Sequence, residues 1–371
     1  MKLVVITHTP HFREPDALYA YGPYVREMNL WTKYADKTTV VAPLSRKEMS
    51  PIHEPYASAS IDISKIPAIS FISFSEAVLA FLKLPVLKWK IFRAMQKADH
   101  IHIRCPGTIG LVACFIQILF PKKPKTAKYA GNWDPKATQP LSYRLQKWIL
   151  RNTFLTRNMQ VLVYGAWPKQ SHNIKPFFTA TYPISSIKAG ISRKFEAPFR
   201  FLFVGSLAPG KRPLYAIELI KTMRDRGIDG QLDVFGEGAE RVAMENYINR
   251  YQLSAWIRLH GNQSSERVEK AYKESDLLLL PSKSEGWPKV VAEAMFWGVV
   301  PIVTKISCVP WMLAEGQRGI LLDGELGKDS EHLLGQLKDI RSLSEMSKRA
   351  KDWSRQYTTD AFETAIKELL S

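Results

Sequence analysis

At 371 residues with 46 % hydrophobic content, the chain is long enough for two or three domains, each with its own core. Its formal charge of +17 belongs to the first half: residues 1–195 hold 28 Lys and Arg against 10 Asp and Glu, whereas residues 196–371 hold 24 against 25. Such a field attracts anionic membranes, nucleic acid or anionic substrates, and the longest apolar run, 109–120, is shorter than the ~20 residues that cross a bilayer.

Residues 2–7 form too short an apolar stretch for a leader peptide and predict a first strand. A polar loop, Thr7–Arg13, carries His8 and His11. Tyr21-Gly22-Pro23-Tyr24, a helix over 25–31 and a strand over 38–43 follow, the opening of a doubly wound α/β domain. Cys105, Cys114 and Cys308 lack ligand or redox spacing and read as buried thiols, which points to a reducing cytoplasm.

Two later stretches interleave apolar and basic residues. In 66–97, Phe71, Phe74, Leu79, Phe81, Leu82 and Trp89 lie among Lys83, Lys88, Lys90, Arg93 and Lys97. In 141–151, Leu141, Leu145 and Trp148 lie among Arg144, Lys147 and Arg151. Both patterns suit the interface of an anionic bilayer, and both equally suit an ordinary domain helix with snorkelling lysines. His100 and His102 alternate with isoleucines on a strand and read as a packed pair rather than a metal site. A strand over 125–129 leads into Asn132-Trp133-Asp134-Pro135, where Asp134 either accepts a substrate hydroxyl or caps a helix. A strand over 159–164 closes the domain, and 183–198, with Gly190, reads as a linker.

The second half restarts with a strand over 199–204, a loop with Gly205, Ser206, Lys211 and Arg212, and a helix from Leu214. Gly205 permits close backbone approach to a diphosphate and Lys211 supplies a point charge; a solvated turn lysine is the alternative. Strands over 232–235 and 257–260 end at Gly236 and Gly261, and Leu277–Leu280 is an apolar run of the kind that makes a buried parallel strand. Pro281 to Gly298 then reads as a polar loop with Glu285 and Gly286, followed by Trp287 and a helix opening at Pro288 and ending at Gly298. The helix N-terminus suits a diphosphate, and Glu285 and Glu293 can hold hydroxyls of different parts of one nucleotide sugar. A solvated face, with Glu293 exposed and Glu285 capping, is the alternative.

These residues, within Pro-Ser, Glu-Gly, Val-Ala-Glu-Ala-Met and Gly-Val-Val-Pro-Ile-Val, resemble the E-x7-E signature of retaining glycosyltransferase family 4. The resemblance implies a GT-B fold: two doubly wound Rossmann-like domains (1–190 and 191–352), an interdomain cleft, and a final segment (353–371) crossing back. It implies catalytic roles for Glu285, Lys211 and Asp134. Donor contacts would come from Gly22, Gly205, Ser206, Lys211, Arg212, Gly236, Gly261, Glu285, Gly286, Trp287, Pro288, Val290 and Glu293. The acceptor side would hold His8, His11, Asn132 and Asp134. Two positions depart from the pattern: Ser206 replaces an arginine, and no histidine stands at Asn132–Asp134.

The implied substrate is a nucleotide-diphosphate sugar, with no metal or other cofactor because no Asp-x-Asp is present. The implied partner is a saccharide acceptor, lipid-linked, at the cytoplasmic face of an anionic membrane. A noncatalytic nucleotide-sugar binder is the rival, motivated by Ser206; nucleic acid is disfavoured because no recognition motif accompanies the charge.

Overall fold

The computed structural model describes residues 1–15, 17–45, 48–50, 52–58, 60–69, 74–187 and 193–371. Phe71 and Gly190 lie outside the described residues, as do the side chains of Phe74, Leu79 and Phe81. The chain divides into two compact units, Met1–Phe178 with Phe362–Ser371, and Thr179–Ala361.

In the first unit, β1 (Lys2–Ile6), β4 (Lys37–Pro43), β6 (Ile61–Ile66), β7 (His100–Cys105), β8 (Lys125–Tyr129), β9 (Met159–Tyr164) and β10 (Ile174–Phe177) form one sheet. Its order is β10-β9-β8-β7-β1-β4-β6, parallel throughout. Helices α2 (Phe74–Lys97), α3 (Thr108–Ile116) and α4 (Leu141–Arg151) cover one face. There Leu87, Ile91 and Met95 of α2 and Ile149 and Leu150 of α4 pack with Val4, Ile103 and Val161. On the other face lies α1 (Gly22–Thr32), whose Trp31 ring stands 4.1 Å from the His102 ring. Layers on both faces explain why the central strands β1, β7 and β8 are buried along almost their whole length.

Between β1 and α2 a small antiparallel sheet of β2 (His11–Arg13), β3 (Leu18–Tyr21) and β5 (His53–Pro55) replaces the expected simple loop. β9 does not close the sheet, because β10 pairs beyond it from Ile174 to Phe177. The apolar run 109–120 is α-helical only as far as Ile116 and continues in a 3₁₀ turn, Gln117–Leu119.

In the second unit, the order is β13 (Ile257–Gly261), β12 (Gly230–Phe235), β11 (Phe199–Val204), β14 (Leu277–Leu280), β15 (Val300–Thr304) and β16 (Ile320–Leu322). All pairs are parallel. Helices α5 (Pro213–Asp225), α6 (Arg241–Arg250), α7 (Ser265–Glu274), α8 (Lys289–Phe296) and the short α9 (Val309–Met312) alternate with the strands, and α10 (Leu326–Lys338) and α11 (Ile340–Ser354) follow. Leu277 to Leu280 are wholly buried. Removing a Leu, Ile or Phe side chain from water contributes about 1.5–3 kcal/mol, so each central strand commits its unit to this sheet.

The last helix, α12 (Thr359–Leu370), starts in the second unit and carries Phe362 onward in the first. Within the first unit, Lys128 lies over the Phe362 ring at 4.9 Å, and Tyr34 donates to Glu363 at 2.7 Å. Trp353 and Ser354 belong to α11 rather than to this last helix.

Candidate functional site

In an open parallel sheet, ligands bind beyond the carboxyl ends of the strands where the strand order reverses. In the second unit that point lies between β11 and β14. The loop after β11 supplies Lys211 and the loop after β14 supplies Glu285; their side chains meet at 2.5 Å. A second tie joins the same loops, Lys283 N–H donating to the Gly210 carbonyl at 2.8 Å. Glu285 is 8 % exposed, while the Lys211 side chain retains 30 %.

Sequence alone did not reveal what shapes the Glu285 loop. The Glu285 N–H donates to Ser307 Oγ at 3.3 Å, and the Cys308 thiol donates to the Gly286 carbonyl at 3.1 Å. Burial, reinforced by the nearby Glu285 charge, pushes the Cys308 thiol up to about 12. Both residues follow β15 and belong to no recognisable motif. Trp287 is buried against Trp311, Trp353 and Tyr357, so its ring anchors the loop to α11. Pro288 is the residue before α8 and not its first turn, while Gly298 leaves the helix at φ 77° as expected. Pro288 is buried; Gly286 and Val290 are half-buried.

Glu293 projects from the middle of α8, half-buried. Its carboxylate accepts from Thr181 Oγ1 at 2.7 Å and Tyr272 Oη at 3.0 Å. Burial, with the Glu293 charge beside it, pushes the Tyr272 phenol well above its usual range, so it remains a hydroxyl donor. Glu293 thus sits where two protein hydroxyls already satisfy it.

The glycines before these loops are needed for backbone approach. A Cβ on Gly236 would stand 1.9 Å from the Gly205 carbonyl oxygen, and one on Gly238 2.6 Å from that of Leu207. Gly205 N–H donates to Phe235 O, Gly236 N–H to Gly261 O and Leu207 N–H to Glu237 O, locking three strand ends together. Ser206 is exposed. Arg212, at φ 52°, turns to the Gly324 carbonyl at 3.0 Å and stacks 4.0 Å over Tyr215, a structural use of its guanidinium.

In the first unit several expectations need correction. His11 is fully buried, its ring nitrogens bonded to the Thr9 carbonyl and Tyr56 Oη at 2.8 Å each. Burial lowers its pKa to about 4. It is a neutral core histidine with no acceptor-facing atom to offer. Asp134 caps no helix: Oδ1 accepts from the Lys136 N–H at 2.8 Å in a turn, and the next helix begins at Leu141. Asn132 Oδ1 in turn accepts from the Asp134 N–H at 2.9 Å. Gly22 opens α1 with Glu54 packed against it, so it frames no open loop.

His8 is exposed at the end of β1, and its Nδ1 lies 3.2 Å from where a Cβ on Gly107 would be. Behind it lies a set that sequence reasoning missed, Glu27 bridging Arg104 and Lys128. Burial would raise the Glu27 carboxyl, but those two cations hold it well below the usual range.

Residues 187–357 match the family model described as glycosyl transferases group 1. Over 176 residues the chain is 26 % identical to D-inositol 3-phosphate glycosyltransferase of Corynebacterium efficiens, covering 46 % of this chain and 42 % of that one. The chain spans less than half the length of the curated relatives it matches. HepE of Anabaena, solved with UDP and glucose, superposes with TM-score 0.66 over 100 % of this chain and 99 % of that one, at 15 % identity. WaaG, a glycosyltransferase involved in lipopolysaccharide biosynthesis, does so with TM-score 0.62 over 99 % of each chain, at 12 % identity. The fold is therefore GT-B, two parallel-sheet Rossmann-like α/β domains. Among the described residues, no helix is long and apolar enough to cross a membrane.

Proposed function

We propose that the chain is a retaining glycosyltransferase of family 4 that moves a sugar from a nucleotide diphosphate to an acceptor hydroxyl. The observation that carries this is the Lys211–Glu285 pair at the strand-order reversal of the second unit, inside the segment that matches group 1 glycosyl transferases. Lys211 would leave Glu285 for the diphosphate, and Glu285 would turn to the sugar hydroxyls. The N-terminus of α8 adds its dipole to the same charge. Glu293 would exchange the hydroxyls of Thr181 and Tyr272 for those of the ribose. Charge on the leaving group is balanced by these groups, without a divalent metal.

The acceptor hydroxyl then attacks C1 from the side the diphosphate leaves, and its proton passes to the departing phosphate oxygen. UDP, which HepE binds, is the first nucleotide to test. A lipid-linked saccharide is the proposed acceptor, with Asp134, Asn132 and His8 on its side. The exposed Leu82, Trp89, Leu145 and Trp148 among the lysines and arginines of α2 and α4 favour a peripheral position on a cytoplasmic anionic membrane.

The test is transfer from a panel of nucleotide sugars, with stability measured at each nucleotide. A true donor nucleotide at 100 times its Kd adds about 2.7 kcal/mol to the unfolding free energy. Stabilisation without sugar transfer or donor hydrolysis would instead mark a binding protein.

A further inference from the structure

Doubly wound sheets bind their substrates at the carboxyl ends of the strands. The first unit carries a groove at the opposite edge, 880 Å³ in volume, where β7, β8, β9 and β10 begin. Lys122, Lys125, Arg157, His172 and Lys175 line it, and no carboxylate does among the described residues. None of the four lysine and arginine side chains makes an ion pair with a described residue.

Lys125 gives this groove a built wall rather than a fringe of surface charge. It is 2 % exposed, and its ammonium donates to the Phe120 carbonyl at 2.7 Å. Burial lowers its pKa to about 8, the mark of a cation without a counter-charge. At the rim, the Arg157 guanidinium lies 4.6 Å over the ring of Phe154, which is 70 % exposed. A buried cation left unpaired is unfavourable, and an anion reaching it gains charge-assisted hydrogen bonds from several donors at once.

We propose that this groove binds a phosphoryl group, carried by a free phosphate ester or by a phospholipid headgroup. Multiple lysine ammoniums beside one guanidinium match the several equivalent oxygens of a phosphate better than the two of a carboxylate. All of these residues belong to the first unit, so the site is independent of Lys211 and Glu285.

The test uses the full chain and the exposed pair Arg157→Glu with Lys175→Glu, matched for charge by Lys338→Glu with Lys348→Glu. Calorimetric titration with inorganic phosphate reads the free ester, and co-sedimentation with phosphatidylglycerol vesicles, against phosphatidylcholine vesicles, reads the headgroup. The expected result is a Kd raised about tenfold or more in one arm for the groove variant and unchanged for the control. A loss in the phosphate arm identifies the free ester; a loss confined to the vesicle arm identifies the lipid. Equal effects of the two variants, or none in either arm, would overturn the proposal. Lys125→Met supplies a second reading: phosphate binding weakens, while the Tm in phosphate-free buffer stays level or rises.

Discussion

The Lys211–Glu285 contact makes a prediction that separates geometry from catalysis. Replacing Lys211 with Met leaves the Glu285 carboxylate, 8 % exposed, without its cation. Breaking a fully buried pair costs about 3–5 kcal/mol, whereas an exposed pair is worth about 0–1 kcal/mol. With 30 % of the Lys211 side chain exposed, solvent screening places this pair between them, at about 1–3 kcal/mol. For a unit of this size each kcal/mol lowers Tm by about 2–4 °C, so Lys211→Met falls by about 2–12 °C. Adding Glu285→Gln removes the stranded charge and should restore most of the loss, giving a coupling of about 1–3 kcal/mol in a double-mutant cycle. Denaturant unfolding of the four proteins measures it. Sugar transfer should behave otherwise: each single variant and the double lose about 100-fold or more, with no rescue. Additive stability effects within about 0.3 kcal/mol would refute the ion pair; near-normal transfer by folded Glu285→Gln would refute the donor role.

The buried histidines make folding acid-sensitive. His11 and His100 each have a folded pKa of about 4 against an ordinary 6.5, so the unfolded chain binds protons first as pH falls. Their stabilising contribution is complete above about pH 6.5 and is lost as pH drops through about 4, on the order of 3 kcal/mol each. Urea midpoints against pH should flatten in His100→Gln; an unchanged profile contradicts the assignment. Glu27→Gln strands Arg104 and Lys128 together and should destabilise the first unit by about 3–5 kcal/mol, a loss under about 1 kcal/mol being the contrary result. Glu293→Ala should reduce transfer about 100-fold while circular dichroism stays native; full activity removes Glu293 from the donor site. Gly236→Ala places a methyl 1.9 Å from the Gly205 carbonyl and should yield insoluble or unfolded protein, which a normal melting curve would contradict.

What could be read in advance follows from how local each signal is. Leu277–Leu280 and the strands over 199–204 and 159–164 announce themselves because a strand covered on both faces is apolar at nearly every position, here all but Arg200 and Gln160. The Glu285–Glu293 stretch was legible because strand, loop and helix occur in one continuous segment. The small sheet of β2, β3 and β5 was hidden, since its outer strands, His11-Phe12-Arg13 and His53-Glu54-Pro55, are three residues long and β5 reaches β3 only across more than thirty residues. For the same reason nothing marked Glu27 as the partner of Lys128, or Ser307 as the support of Glu285. The helix-cap alternative for Asp134 failed because a turn, closed through Lys136, came before the next helix. Arg212 was displaced by a left-handed backbone that aims it at Gly324.

The three glycine turns of the second unit interlock like the teeth of adjoining gears. Gly236 cannot take a side chain without moving the Gly205 turn, because a Cβ there would stand 1.9 Å from the Gly205 carbonyl oxygen. Any change that adds a side chain to the Gly236 turn must therefore carry the Gly205 turn with it. Side chains that point outward from them, Ser206 foremost, remain open to single exchange.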